Sequence, residues 1–149
     1  MNAQVTAQDR PDAHQLLDGW LQLWNGEYAH AEELIAPAFR LHAAMMDGGD
    51  GSAVDTPAAL VGWIAQTRSI ASDLTFSVEV GPIVDADQFA VRWRARGTYA
   101  GGMPGAGAPV GTAVDFTGTD LLRVADGRLA EYWVNSDVLV LLTQLQVIA

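Results

Sequence analysis

The segment GTYAGGMPGAGAPVGTAVDFTGTDLLRVADGRLAEYWVNSD, residues 97–137, decides the fold. It reads as the end of one strand, a Gly/Pro-rich loop, and two strands (about Val110–Val124 and Arg128–Asn135) joined at Ala125-Asp126-Gly127. That tripeptide suits a three-residue hairpin loop with glycine in the left-handed region and a bulge beside it. Val124 then faces Arg128, which sets Asp120 opposite Tyr132 and Gly118 opposite Val134. One face carries Gly118, Asp120, Leu122, Tyr132 and Val134, and the other Thr119, Leu121, Arg123, Glu131, Trp133 and Asn135. A two-residue turn would pair Asp120 with Trp133 instead.

Upstream, the period is also two. Leu74, Phe76, Val78 and Val80 alternate with polar residues, and Phe89, Val91, Trp93 and Ala95 alternate with Arg92, Arg94 and Arg96. Before Asp73 the spacing is helical. Leu16, Leu17, Trp20, Leu23 and Trp24 form one apolar stripe that ends at Asn25-Gly26. A second short helix spans about Tyr28 to Ala36 and stops at Pro37, and Phe39–Met45 reads as a strand. Thr56-Pro57 opens a third helix through about Ile70, and Val138–Leu145 a fourth. The order predicts an α+β fold: three N-terminal helices against one face of a bent sheet whose last four strands form an antiparallel meander. Residues 1–11 read as a flexible arm and 12–149 as a single domain.

A chain of 149 residues can bury roughly 68–70% of its unfolded surface. Eighteen acids against eight arginines and no lysine give a net charge of −10, which disfavours nucleic acid and anionic membranes as partners. Arg92, Arg94 and Arg96 share a strand face, the expected place for an exposed ladder or subunit contact. The absence of cysteine excludes disulfides, thiolate metal sites and a cysteine nucleophile. With no signal-like core and no run near the roughly 18 apolar residues that span a bilayer, the expected location is cytoplasmic. Gly105, Gly107 and Gly111 imitate a dinucleotide loop but open no helix.

Asp120 is the residue that most needs explaining, because aspartate is disfavoured in mid-strand. Either it is a carboxyl in an apolar pocket, its proton affinity raised so that it can trade protons, or it is ion-paired or solvent-facing. His42 is the one histidine inside a predicted strand. It shares a face with Arg40, and the pair could sit at a pocket mouth. Asp137, between the last strand and helix, reads as a cap, and Glu131 as a cross-strand partner of Arg123. The five tryptophans are core mass first, and Trp24 and Trp63 are candidates to line a cavity.

Three stretches, WNGEYAHAEELIAPAFRLH (24–42), VRWRARGTYAGGMPG (91–105) and VDFTGTDLLRVADGRLAEYW (114–133), resemble the SnoaL-like polyketide cyclases of the nuclear-transport-factor-2-like superfamily. The resemblance implies a cone-shaped α+β barrel, often dimeric through its outer sheet face, with an apolar cavity between sheet and helices. It also implies aldol-type ring closure on a small apolar carbonyl compound, with no metal or organic cofactor and an aspartate as acid/base. That aspartate falls at Val134, a further polar pocket position at Asp120, and a common histidine at Tyr99. The expected catalytic residues here are therefore Asp120 and His42, with Tyr132, Trp24, Trp63, Val134 and Arg40 at the ligand. Tyr132 or His42 is the expected donor to an enolate oxygen. A non-enzymatic ligand-binding or dimerisation module on the same fold is the alternative. A third reading, resemblance to limonene epoxide hydrolases, lacks their Arg-x-Asp pair, since Gly118-x-Asp120 stands there.

Overall fold

The computed structural model describes residues 12–149, so the arm expected over 1–11 lies outside the described residues. Four helices and five strands follow in the order α1 (Ala13–Trp24), α2 (Ala31–Leu34), β1 (Ile35–His42), α3 (Pro57–Arg68), β2 (Thr75–Asp85), β3 (Gln88–Thr98), β4 (Ala113–Ala125), β5 (Arg128–Ser136) and α4 (Val138–Gln144).

Helix α1 starts with a reciprocal cap: the Asp12 carboxylate accepts from the Gln15 backbone N–H (2.8 Å), and the Gln15 side chain accepts from the Asp12 N–H (3.1 Å). Its stripe of Leu16, Leu17, Trp20, Leu23 and Trp24 is buried. Beyond its end, Asn25 accepts from the Phe76 N–H (2.8 Å) and donates to the Phe76 carbonyl (3.2 Å), which ties α1 to β2. The Arg68 guanidinium at the end of α3 donates to the carbonyls of Trp24, Leu74 and Ser72, holding the same corner. Thr56 caps α3 through the Ala59 N–H, with Pro57 in the first turn.

The expected second helix is a single turn, and the strand after it begins earlier, at Ile35. Ile35, Phe39 and Leu41 are buried while their neighbours are not, so the period-two pattern wins over the helical reading. Pro37 is tolerated because β1 is an edge strand, and its ladder with β5 is broken between Ile35 and Arg40.

The strand order is β1-β5-β4-β3-β2. Strands β2 to β5 form the antiparallel meander, while β1 adds to β5 in parallel. The two edges, β1 and β2, do not pair, so the curved sheet stays open and does not close into a barrel. Alternate residues of β3, β4 and β5 point into a core shared with Leu60 and Ile64 of α3 and the α1 stripe. On the outer face Arg94 grips Asp115 with two bonds of 2.7 and 2.8 Å, Arg96 adds a third, and Arg92 and Arg94 flank Glu79. These hydrogen bonds, from Arg94 first, hold the Asp115 carboxyl down to about 2. The arginine row is thus a self-neutralised ladder. Among the described residues, no helix is long and apolar enough to cross a membrane.

The hairpin corrects the expected register. Asp126 and Gly127 both have positive φ (53° and 75°), so the turn has two residues and closes on Ala125 and Arg128. Ala130 is then an extra residue between the Val124–Leu129 and Arg123–Glu131 pairs. Turn and bulge each shift the pairing by one residue. Asp120 therefore lies opposite Val134, and Tyr132 opposite Leu122. Two shifts of one cancel in a pleat of period two, so both faces keep the residues expected of them.

Candidate active site

Asp120 sits in the middle of β4, on the inner face, only 3% exposed, and no cation among the described residues reaches it. Three neutral donors hold it. Trp93 Nε1 (2.8 Å) and the Tyr132 hydroxyl (3.0 Å) donate to Oδ1, and Trp20 Nε1 (3.0 Å) donates to Oδ2. Burial raises the Asp120 carboxyl to about 6, against the opposing effect of the three hydrogen bonds. Burial also pushes the Tyr132 phenol well above its usual range, followed by the charge on Asp120, so Tyr132 remains a neutral donor. A carboxylate offers about two acceptor positions per oxygen. Oδ1 is filled by two donors, whereas Oδ2 takes one and keeps a lone pair free. Oδ2 is the oxygen able to pick up a proton.

Each partner arrives from a different element. Trp20 comes from the α1 stripe, Trp93 from β3, and Tyr132 from β5, diagonal to Asp120 across the hairpin. Trp93 lies directly opposite Gly118. A Cβ on Gly118 would stand 2.2 Å from Trp93 Cζ2, so only glycine lets the indole lie down across β4 and turn its N–H to Asp120. The same crowding leaves no room for an arginine at position 118. Trp20 meets the Tyr132 ring edge-on at 4.7 Å between centroids. Next to this set, Trp24 packs against Trp20, Trp63 and Phe76, and Trp93 against Phe76 and Phe116. The carboxyl is thus walled by aromatic rings.

Of the residues expected at the site, Asp120, Tyr132, Trp24 and Val134 belong to one region, and Trp63, half-buried, borders it through Trp24 (5.4 Å between centroids). His42 and Arg40 do not join them. Leu41 is the β1 residue that shares a level with Tyr132, so its neighbours point the other way. His42 Nε2 lies 2.6 Å from Glu131 Oε2, its ring is stacked on Trp133, and Glu131 also takes Arg123 Nε at 3.0 Å. Both His42 and Arg40 line a surface hollow of about 760 Å³ at the β1 edge, with Asp50, Ser52 and Asp55; Asp120 is not among its walls. Neither expected oxyanion donor is in place: His42 is on the outer face, and the Tyr132 hydroxyl is given to Asp120.

Asp137 makes no side-chain cap to α4 and instead accepts from the Thr117 hydroxyl. Tyr99, at the position of the family histidine, accepts from the Met103 N–H (3.0 Å) and latches the β3–β4 loop. No three His, Asp or Glu side chains converge as a metal site among the described residues. The sequence reading missed Trp20 and Trp93 as partners of Asp120. The available signals were the i, i+4 pair of tryptophans in α1 and a tryptophan facing a glycine across β3–β4.

An open curved sheet with helices packed against its inner face and a buried carboxyl between them defines a class of α+β folds. The model for SnoaL-like polyketide cyclases matches residues 14–145, and the chain belongs to that family. Among solved structures, IdmH from Streptomyces antibioticus, described as a candidate polyketide cyclase, is 28% identical, with 89% of this chain and 97% of IdmH covered and a TM-score of 0.75. TsrD from Streptomyces laurentii gives 23%, 91%, 95% and 0.75, and AclR from Streptomyces galilaeus, a candidate hydroxylase, 20%, 91%, 81% and 0.74. These last two share the fold. No curated protein matches the chain significantly.

Proposed function

We propose that this chain is a cofactor-free acid/base enzyme of the aldol-cyclase type, acting on a small, apolar, carbonyl-bearing compound, with Asp120 as the proton carrier. In this reading Oδ2 removes a proton from the carbon next to a carbonyl, leaving an enolate. The enolate carbon attacks a second carbonyl of the same molecule, a C–C bond forms, and the resulting alkoxide takes the proton back from Asp120. Trp20, Trp93 and Tyr132 position the carboxylate. The surrounding aromatic side chains must move aside to admit the ligand.

The single observation that carries this reading is a buried carboxyl raised to about 6 by burial, with only neutral donors around it among the described residues. Its register adds support. The acid expected of the family falls at Val134, directly across the ladder from Asp120, where side chains stand roughly 4.5–5.5 Å apart on one face. In this reading the carboxyl stands on the neighbouring strand, on the same inner face of the sheet. Epoxide hydrolysis is disfavoured by the crowding at Gly118.

The test is hydrogen–deuterium exchange at the acidic carbon of 1-indanone and 1-tetralone in D₂O, followed by NMR. The wild type should accelerate exchange, with the rate rising through pH about 6 as Asp120 ionises. Asp120→Asn should lose roughly 10²–10⁴-fold. Ketones that bind without exchanging faster than in buffer would instead establish a ligand-binding module.

A homodimer through the outer sheet face is part of the same proposal, supported by the half-buried Trp133 and Leu121 beside the arginine ladder. Sedimentation showing only monomer at micromolar concentration would count against it.

A further inference from the structure

Among the described residues, one buried side-chain nitrogen or oxygen has no hydrogen-bond partner: Nε1 of Trp24, a residue 7% exposed. An unmatched buried N–H costs roughly 1–3 kcal/mol, and such groups in native structures call for a reason. Its setting gives one. Trp24 lies one helical turn beyond Trp20 on the buried stripe of α1, with ring centroids 6.1 Å apart, and Trp20 donates to the same Asp120 oxygen that keeps a free lone pair. Trp63 and Phe76 meet Trp24 through aromatic rings, at best second-order acceptors. The Trp20 indole thus stands between a buried acceptor with a free lone pair, Asp120 Oδ2, and a buried donor without a partner, the Trp24 N–H. Aromatic walls line both.

We infer that the Trp24 indole N–H is the donor that binds the ligand's carbonyl oxygen and stabilises it as it becomes an enolate. The inference rests on the proposed acid/base role of Asp120 and supplies the electrophilic half that Tyr132 and His42 do not. A donor in a water-poor site is worth most where charge develops, at the oxygen of the enolate. The spacing follows from the chemistry. The oxygen and the acidic carbon–hydrogen bond of a ketone are separated by two bonds, so donor and base must be neighbours without touching.

The experiment uses 2-naphthol, a flat bicycle with an enol-like oxygen, and naphthalene, the same frame without it. Both are titrated into protein carrying ¹⁵N-labelled indoles, with Trp24→Phe used to assign the signal. 2-Naphthol should move the Trp24 Nε1–H resonance downfield, while naphthalene should not. In the wild type 2-naphthol should bind roughly tenfold tighter than naphthalene, the effect of one hydrogen bond. In Trp24→Phe that preference should vanish while naphthalene affinity is kept. An unmoved Trp24 signal, or a preference that survives Trp24→Phe, overturns the inference while leaving Asp120 to its own exchange assay. Failure of 2-naphthol to bind the wild type overturns it as well. Should Trp24→Phe not fold, the signal is assigned by its nuclear Overhauser contacts to Trp63 and Phe76, and the wild-type resonance decides.

Discussion

The titration of Asp120 makes a prediction about stability that needs no substrate. In the unfolded chain its carboxyl titrates near 3.8, and in the folded protein burial lifts it to about 6. At about 1.4 kcal/mol for each tenfold change in proton affinity, ionised Asp120 costs the folded state about 3 kcal/mol at pH 7. The sign follows from the raised folded value. The favourable contribution is complete below pH about 4 and is lost as pH rises through about 6. Asp120→Asn removes the titration. Its amide oxygen can still serve Trp93 and Tyr132, but its NH₂ then meets the Trp20 N–H, donor against donor, at a cost of about 1–3 kcal/mol. The variant should therefore be less stable than the wild type at pH 4 and equal or more stable at pH 7.5. The difference between the two proteins should swing by about 2.5 kcal/mol between those two pH values, or roughly 5–10 °C in Tm for a chain of this length. Urea denaturation followed by tryptophan fluorescence at half-unit pH steps measures it, and subtraction cancels every group the two proteins share. A difference that stays constant from pH 4 to 7.5 would refute the reasoning, because Asp120 would then titrate alike in both states.

Gly118→Ala should cost about 1–3 kcal/mol by overpacking, since its Cβ would overlap the Trp93 ring, and should detach Trp93 Nε1 from Asp120. With one stabilising hydrogen bond gone, the Asp120 carboxyl should titrate still higher. Unchanged stability and an unchanged Trp93 indole resonance would contradict this. If the two facing positions are equivalent, adding Val134→Asp to Asp120→Asn should recover more than tenfold of the lost exchange rate. No recovery, in a double variant that folds, would show that the carboxyl cannot change strand.

Much of this was legible in the residues because the signals were periodic. The α1 stripe, the Thr56-Pro57 start and the alternation in β2 to β5 place each element within a few residues of where it lies. The misses have local causes. Residues 28–36 carry good helix formers, but Ile35 and Phe39 are wanted at the sheet, and burial outweighs propensity there. The Ala125-Asp126-Gly127 segment admits a three-residue loop as readily as a two-residue one. The choice depends on Asp126 adopting positive φ and on the bulge at Ala130, neither of which is written in residue types alone. Asp120 stood out as an acid in an apolar strand. Its partners did not, because which indole nitrogens reach it depends on how three separate elements pack. His42 was misplaced for the same reason: its own strand pattern could not tell the inner face from the outer.

The uncompensated state of Asp120 follows from the alternation that builds the sheet. On β3 the odd positions, Val91, Trp93 and Ala95, point inward, and Arg92, Arg94 and Arg96 point outward. On β4 it is the even positions that point inward, and Asp120 is set against Val91. Arg123, the one cation of β4, has the outward parity and pairs with Glu131. Every arginine of the two strands is therefore kept on the far side of the sheet from Asp120. A slip of one residue in β3 against β4 would carry the arginines to the inner face and turn a raised carboxyl into an ordinary ion pair. That slip is prevented by the same contacts that make the site, because Trp93 fits only over Gly118 and bonds only to Asp120. Register and proton affinity are set by one constraint. A substitution that loosens the Trp93–Gly118 fit should disturb both together.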